Sequence, residues 1–405
     1  MARLFNIRPL AVFWTFTLLF MGMQRIQADI TARIIETHNY PVEEHTVHTP
    51  DHYILTIYRI PYSPKRMDST NNSRPVVFLQ HGILSASDDW ILNGPETSIA
   101  FMFADEGYDV WLGNARGNFY SRQHKHLDPA SSDFWNFSWH EIGVYDLASM
   151  IDYALIASNA TSMHFVAHSQ GTTTFFVLMS SQPAYNEKIK TVHLLAPVAF
   201  MRNHSFMLSK LGRIFLGYPS FLSWIFSGIQ IGPNSRIPRL VCEYVCSPDS
   251  MLKFLCVGIL DFIGGWGTKH LNHTLLTDVC LTHPSGASTT QIIHFLQLHN
   301  SGDFRQFDHG TELNLKYYQQ ETPPSYEIHQ IRNCVNLYYS ENDYMSAVGD
   351  VEHLASLLPC AELHRIPYED WNHYDFLWSN NVKEVINNRI IDKIRRHELE
   401  NLQDF

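Results

Sequence analysis

Short apolar runs rich in β-branched residues alternate with helical patterns along most of the chain. The runs with the composition of buried strands are 75–80, 108–112, 163–167, 192–197, 335–340 and 362–367. Between two of them, residues 139–157 carry apolar side chains at helical spacing. This alternation is typical of a mostly parallel sheet with helices on both faces. We therefore predict an α/β fold that closes with a helix over 380–405.

The pattern changes in two places. Residues 42–60 alternate as an antiparallel hairpin does, with Pro50, Asp51 and His52 at its turn. Over 200–328 the strand–helix alternation stops, and residues 214–231 contain no charged side chain. Pro219 and several serines make this segment a poor membrane span, and we expect buried helices there rather than a surface that contacts lipid.

These patterns predict a core interrupted by one insertion. The expected organisation is an N-terminal core part over 29–199, a cap or lid over 200–328 and a C-terminal core part over 329–405. Residues 1–28 precede the core and read as a signal peptide: Arg3 and Arg8 come before an uncharged run that is short for a membrane span, and Ala28 supplies a small residue for cleavage. The sequence therefore predicts cleavage and export, with a signal anchor as the alternative, and no transmembrane span in the mature chain. The expected destination is the extracellular space, or alternatively a lysosome.

Composition and charge exclude several classes of protein. With 45% hydrophobic and 17% charged residues, the chain has the composition of a folded domain. After loss of residues 1–28 it retains 26 basic against 40 acidic side chains, so nucleic acid is not an expected partner. Protonation of all 23 histidines would reverse the sign of this charge, which permits an acidic compartment.

Cysteines and glycosylation signals agree with export. Six cysteines lie between positions 242 and 360, which allows three disulfides in 15 possible pairings. The candidate glycosylation sites are Asn71, Asn136, Asn159, Asn203 and Asn272. No CxxC pair suggests zinc, and we predict neither a metal nor a cofactor.

Ser169 stands between a predicted strand and a predicted helix. Ala167 and Gly171, two residues away on either side, are small, as they must be where a strand turns abruptly into a helix around an exposed serine. Such a serine can be a nucleophile, and the alternative is a helix N-cap. In the nucleophile interpretation, the N–H of Gln170 opens the helix and can donate to an oxyanion.

The partners that a nucleophilic serine needs follow in the order serine, acid, histidine. Asp343 and His373 each come after a later predicted strand, and the carboxyl ends of parallel strands meet at one edge of the sheet. Glu341 and Asp350 are alternative acids; His353 and His364 are alternative bases but lie within a predicted helix and a predicted strand. We predict a Ser169–His373–Asp343 triad.

A second oxyanion donor is expected from the loop after strand 75–80. Gly82 allows a close backbone turn there, and the N–H of Ile83 would face the developing charge together with that of Gln170.

Motifs over almost the whole chain after residue 28 resemble those of the acid lipases, the family of gastric and lysosomal lipases. The matching segments are YPVEEH at 40–45, FLQHG at 78–82, DVWLGNARGN at 109–118, HSQGT at 168–172, ND at 342–343 and NHYDF at 372–376. The resemblance implies an α/β-hydrolase core with a cap and mobile lid, no cofactor, and the same triad and oxyanion residues. It also implies a Cys246–Cys256 disulfide, although the loop has one extra residue. Ala167 and His52 replace glycines of the family pattern.

The predicted function is therefore hydrolysis of neutral lipid esters, such as triacylglycerol, at a lipid–water interface through an acyl-enzyme. Hydrolysis of sterol esters or small carboxylesters is the alternative within the same class. A lipid-binding or storage protein that kept the fold and lost catalysis is the alternative from another class.

Overall fold

A nine-stranded sheet lies at the centre of the computed structural model, which describes residues 30–66, 74–232 and 239–403. The predicted signal peptide and Asn71 lie outside these ranges. The strands, including the two of a small separate ribbon, are β1 (Glu43–His48), β2 (Tyr53–Ile60), β3 (Val76–Gln80), β4 (Asp109–Leu112), β5 (Gln123–His124), β6 (Met163–His168), β7 (Ile189–Leu195), β8 (Gln230–Ile231), β9 (Ala287–Ser288), β10 (Val335–Tyr339) and β11 (Ala361–Arg365).

The sheet order is β1-β2-β4-β3-β6-β7-β10-β11, with β5 paired to β2 and with β8 and β9 forming the separate ribbon. Strands β4, β3, β6, β7, β10 and β11 run parallel, while β1 and β2 form an antiparallel hairpin that joins β4 antiparallel. The predicted parallel α/β sheet and its leading hairpin are confirmed. The strand predicted at 192–197 in fact begins three residues earlier and ends two residues earlier, at Leu195. It ends there because the next residue, Ala196, adopts a φ of 48°.

Helices connect the strands and cover the sheet. They are α1 (Ile30–Thr37), α2 (Ile99–Glu106), α3 (Trp139–Glu141), α4 (Ala148–Ala157), α5 (Gln170–Ser181), α6 (Met207–Leu216), α7 (Phe221–Phe226), α8 (Arg239–Cys246), α9 (Lys253–Gly264), α10 (Leu276–Thr282), α11 (Thr289–Ser301), α12 (Thr311–Tyr318), α13 (Val348–Leu357), α14 (Asp375–Trp378) and α15 (Asn388–Gln403). A π-helical turn, Ile142–Leu147, joins α3 to α4, and another, Lys383–Asn387, precedes α15.

The inner strands β3, β4 and β6 are buried on both faces, which explains why they read as largely apolar runs, whereas the edge strands β1 and β11 are partly exposed. In β3, Val76 and Phe78 belong to the core that includes residues of α4 and α5. Val77 and Leu79 belong to the core on the other face, with residues of α1, α2 and α15. The segments that follow β3, β6 and β10 leave the sheet at the edge formed by the carboxyl ends of its parallel strands.

The segment over 200–328 carries helices α6 to α12, and two disulfides hold part of it together. Cys242–Cys280 joins α8 to α10, and Cys246–Cys256 joins α8 to the start of α9. A third disulfide, Cys334–Cys360, ties the residues that precede β10 and β11. The residue limits given above for the cap remain a prediction.

The expectation of buried helices over 214–231 is wrong. The exposed apolar side chains of α6, α7 and the residues around them include Met207, Leu211, Ile214, Phe215, Tyr218, Phe221, Leu222, Trp224, Ile225, Phe226 and Ile229. These two short helices pack on α11 with one side only, and their apolar residues continue around the other side, which stays exposed. Across residues 30–66, 74–232 and 239–403, no helix has both the length and the apolar character of a membrane span.

Candidate active site

Ser169 occupies the sharp turn between β6 and α5, with φ of 52°. Its backbone N–H donates to Leu195 O at 3.0 Å, and its carbonyl accepts from the N–H and the hydroxyl of Thr172 at 2.8 and 2.6 Å. A left-handed conformation is unfavourable for serine, so these bonds hold strain at this position. A Cβ on Gly171 would lie 2.5 Å from Gln80 O, which is why this position must be glycine. The side chain of Ser169 therefore projects from the turn and does not cap α5.

The structure brings His373 and Asp343 to this serine from loops 204 and 174 residues further along the chain. The Oγ–H of Ser169 donates to His373 Nε2 at 2.8 Å, and the opposite ring nitrogen, Nδ1, donates to Asp343 at 2.8 Å. The backbone N–H groups of Met345 and Ser346 donate to Asp343 Oδ1 at 2.8 and 2.9 Å, which fixes the carboxylate. A base, its nucleophile and an orienting acid are thus within hydrogen-bond reach of each other.

The alternative acids and bases lie elsewhere. Glu341 pairs with Arg365 at the surface, and Asp350 accepts from the backbone N–H and the amide of Asn203 at 2.9 Å. His364 lies in β11 and bonds Asn336, and His353 lies in α13. None of these four contacts Ser169.

The loop after β3 lies against the nucleophile. A Cβ on Gly82 would lie 3.0 Å from Ser169 Cβ, so only glycine allows this close approach. His81 fixes the loop because its Nδ1–H donates to Gly82 O at 2.7 Å while its Nε2 accepts from the N–H of Ala115 at 3.1 Å. Burial lowers the pKa of His81, which keeps the ring neutral as this bonding requires.

Both predicted oxyanion donors lie beside Ser169. Gln170 is the first residue of α5, and the N–H of a first helical residue has no partner within its own helix. Its side-chain amide donates to Gln291 in α11 at 2.7 Å. Ile83 follows Gly82 and, with Ser169, lines an apolar cavity.

Gly264 and Gly265, which support the triad, were not predicted from the sequence. Gly264 O at the end of α9 accepts from the N–H of Tyr344, next to Asp343, at 3.1 Å and from the N–H of His373 at 3.2 Å. A Cβ on Gly265 would overlap the backbone of Asn342. The Gly264–Gly265 pair after an apolar helix was a visible signal, but only the fold shows that it meets both loops.

His168, next to the nucleophile, was also missed. Its Nε2–H donates to the backbone carbonyl of His373 at 3.0 Å, with the two ring centroids 4.8 Å apart. Burial, and after it the neighbouring His373, lower the pKa of His168 to about 3. A neutral His168 therefore leaves His373 as the imidazole that can take up a proton from Ser169.

The apolar cavity beside the nucleophile, termed here the Ser169 cavity, has a volume of about 340 Å³. It lies between the end of the sheet and the helices α6 and α11, and its lining is Ile83, Ser169, Val198, Met201, His204, Phe206, Leu208, Ser209, Gly212, Leu216, Ile292, Phe295, Leu296 and Met345. Ser169 itself is only 5% exposed. The cavity offers an apolar volume, partly open to solvent, to a chain attached to the reacting carbonyl.

The remaining predicted residues are placed as follows. Cys246 and Cys256 form a disulfide. Asn136 and Asn159 are exposed, whereas the side-chain amides of Asn203 and Asn272 donate to Asp350 and Asn93 at 2.9 and 3.1 Å. Within the part of the chain that the structure describes, no group of three or more histidine, cysteine or acidic side chains is arranged to hold a metal ion.

Comparisons with known proteins agree with this architecture. Residues 31–94 match the family model of the partial alpha/beta-hydrolase lipase region, and residues 75–236 match that of the alpha/beta hydrolase fold. A solved bacterial membrane phospholipase A superposes with a TM-score of 0.53 over 96% of both chains, at 14% identity, which supports the fold alone.

Curated relatives are much closer in sequence. Lipase 3 of Drosophila melanogaster is 42% identical over 90% of this chain and 92% of its own length. Gastric triacylglycerol lipases of Bos taurus and Homo sapiens are 38% and 37% identical, over 89% and 90% of this chain and the same shares of their own lengths. The chain therefore belongs to the acid lipase family of α/β-hydrolases and is a carboxylic ester hydrolase of the lipase type.

Proposed function

We propose that this lipase hydrolyses neutral lipid esters of the triacylglycerol type through an acyl-enzyme on Ser169. The observation that carries the proposal is the 2.8 Å contact between Ser169 Oγ and His373 Nε2, with Ser169 in the lining of the Ser169 cavity. The base and the apolar cavity meet at the same atom, as ester hydrolysis of a long acyl chain requires.

In the first half-reaction, His373 Nε2 takes the proton of Ser169 Oγ as this oxygen bonds to the ester carbonyl carbon. The carbonyl oxygen becomes an oxyanion that the backbone N–H groups of Ile83 and Gln170 stabilise. Asp343 holds the ring in the tautomer that accepts at Nε2 and stabilises the imidazolium. His373 then gives the proton to the leaving alcohol oxygen, whose bond to the acyl carbon breaks.

In the second half-reaction, water replaces the alcohol. His373 takes a proton from this water as its oxygen bonds to the acyl carbon, and the same two N–H groups stabilise the second oxyanion. The bond to Ser169 Oγ then breaks, the proton returns to that oxygen, and the fatty acid leaves.

We propose that the helices above Ser169 move to admit a lipid substrate. The serine is 5% exposed, and α6 closes one side of its cavity, whereas the outer faces of α6 and α7 present exposed apolar residues such as Phe215 and Trp224. A lipid surface would cover these residues and stabilise an open arrangement, so we propose that activity rises at an interface. We further propose that the enzyme acts outside the cell after cleavage of residues 1–28, with the lysosome as the alternative.

The test is hydrolysis of emulsified long-chain triacylglycerol, cholesteryl ester and a soluble butyrate ester by the purified protein, from acidic to neutral pH, with Ser169→Ala as the control. Serine-dependent activity that rises when triacylglycerol forms an emulsion supports the proposal. Preference for cholesteryl ester or for the soluble ester would favour the alternative substrates. Full activity in Ser169→Ala would contradict the mechanism. No reaction of the wild type with a fluorophosphonate, together with no hydrolysis of any of the three esters, would favour a lipid-binding role.

A further inference from the structure

Helix α6 forms one wall of the Ser169 cavity with residues spaced by four. Leu208, Gly212 and Leu216 all line the cavity, and this spacing places them one above another on a single side of the helix. Eight residues of α-helix span about 12 Å, so these three positions follow the cavity over much of its length. Leucine side chains lie at both ends of this row, and the middle position has no side chain.

Neither the backbone nor helix packing requires a glycine at position 212. The residue lies in the interior of α6, where glycine is among the least favourable residues. A Cβ there would lie 3.4 and 3.7 Å from the two terminal methyl carbons of Leu296, which is ordinary contact. Gly217 is different, because a Cβ there would overlap Asn300 and approach Leu296 O to 2.8 Å. What the glycine at 212 uniquely provides is space inside the cavity.

We propose that Gly212 is a specificity-determining residue that leaves room for the distal methylenes of a long acyl chain. The inference rests on the proposed function, since it assigns the Ser169 cavity to the acyl group. The methylenes would pack between Leu208, Leu216 and Leu296, and each one that is buried contributes about fourfold to kcat/KM, converted from its transfer free energy. A side chain at 212 would occupy that space and discriminate against long chains while short chains still fit.

The experiment compares p-nitrophenyl butyrate with p-nitrophenyl dodecanoate in the same mixed micelles. The variants are Gly212→Leu, Gly212→Ala and Gly258→Leu, and the quantity is the ratio of kcat/KM for dodecanoate to that for butyrate. Gly258 is the matched control because it lies in α9, also over 200–328, and a Cβ there meets no atom within 4 Å. Ser169→Ala measures the background that does not depend on the nucleophile.

Gly212→Leu should lower the ratio at least about tenfold, whereas Gly258→Leu should leave it as in the wild type. If near-UV circular dichroism shows that Gly212→Leu does not fold, Gly212→Ala decides, with an expected decrease of about fourfold. An unchanged ratio, an equal loss on both esters or the same decrease in Gly258→Leu would overturn the assignment of Gly212. Retained activity in Ser169→Ala would instead overturn the proposed function.

Discussion

His373 Nε2 lies 2.8 Å from Ser169 Oγ, although 204 positions separate the two residues. The contact exists because each residue begins or belongs to a loop at the carboxyl end of a parallel strand, and β6 and β11 are held in register through β7 and β10. The order of the strands in the sheet, rather than any local sequence, sets this distance.

Asp343→Asn should lower kcat for a soluble ester by about 10⁴-fold with little change in KM. An amide at this position can present its NH₂ group to His373 Nδ1, which favours the tautomer whose Nε2 cannot accept a proton. Stopped assays on butyrate ester would measure the loss, with circular dichroism to verify the fold.

The double variant Ser169→Ala with Asp343→Asn should be no less active than Ser169→Ala alone, because the residues act as a unit. A further loss in the double variant would show that Asp343 acts independently of the serine.

The two small residues around Ser169, Ala167 and Gly171, should differ sharply in how well they tolerate substitution. Gly171→Ala would place a Cβ 2.5 Å from Gln80 O and 2.7 Å from His81 O, both backbone atoms, and so displace the loop that carries Ile83. We expect a loss of kcat of about 10²-fold or more, as for a lost oxyanion donor. Active-site titration with a fluorophosphonate would separate a slow serine from a smaller fraction of folded enzyme.

Ala167→Gly introduces the residue of the family pattern and, unlike Gly171→Ala, should change the activity little. Ala167 is fully buried and paired within β6, so its methyl group is already accommodated. We expect the free energy of unfolding to fall by about 1 kcal/mol because glycine weakens a strand, with kcat within about threefold of the wild type. A rise in kcat of tenfold would show instead that the methyl group slows the nucleophile.

The strand–helix alternation was sufficient to predict the sheet, because strands buried on both faces leave an unmistakable apolar signal. The sharp turn at Ser169 was equally predictable from the sequence, because it requires small residues two positions away on either side. The exposure of Phe221 and Trp224 could not be predicted from the sequence. An apolar segment without charge is compatible with either a core or a lipid-facing surface, and only tertiary packing determines which of the two it forms. The roles of Gly264 and His168 were not predicted for a related reason, because their contacts are with loops distant in sequence.

Phe221 and Trp224, each 72% exposed on α7, provide a test of the proposed lipid surface. Phe221→Ser and Trp224→Ser should lower activity on emulsified triacylglycerol at least about tenfold, because each removes an aromatic side chain that the interface would bury. Activity on the soluble butyrate ester should stay within about twofold.

Ile156→Ser is the matched control for these two variants. Ile156 is 81% exposed on α4, far from α7 in the chain and on the core domain. Its replacement should change neither activity. An equal loss on both substrates in the α7 variants would mean that α7 supports the active site rather than binding lipid.

Buried histidines should make the fold sensitive to acid. Burial lowers the pKa of His164 on β6, and it lowers that of His193 on the neighbouring strand β7 well below the ordinary value. The bond from His164 Nε2–H, at 3.0 Å, is the largest cause that lowers the pKa of Glu398 on α15 to about 2. The His164–Glu398 bond connects the sheet to the C-terminal helix, whereas His193 bonds Tyr338 and Thr191 within the sheet, so protonation of these groups would weaken the sheet and the attachment of α15.

The direction in which pH changes the stability follows from proton linkage. In the unfolded chain these histidines regain a pKa of about 6.5, so below that pH the unfolded state binds more protons and the unfolding free energy falls. Glu398 changes the unfolding free energy in the same direction but at lower pH, because its contribution is lost between about pH 4.3 and 2. The histidines therefore dominate between pH 7 and pH 5, each contributing up to about 1.4 kcal/mol per pH unit.

We expect the Tm to be at least about 5 °C lower at pH 5 than at pH 7. Differential scanning calorimetry in buffers of equal ionic strength would measure it. His193→Gln should reduce this pH dependence, because the buried amide does not titrate, whereas His48→Gln, at an exposed position on β1, should leave it unchanged. A Tm that stays level or rises toward pH 5 would contradict the linkage argument.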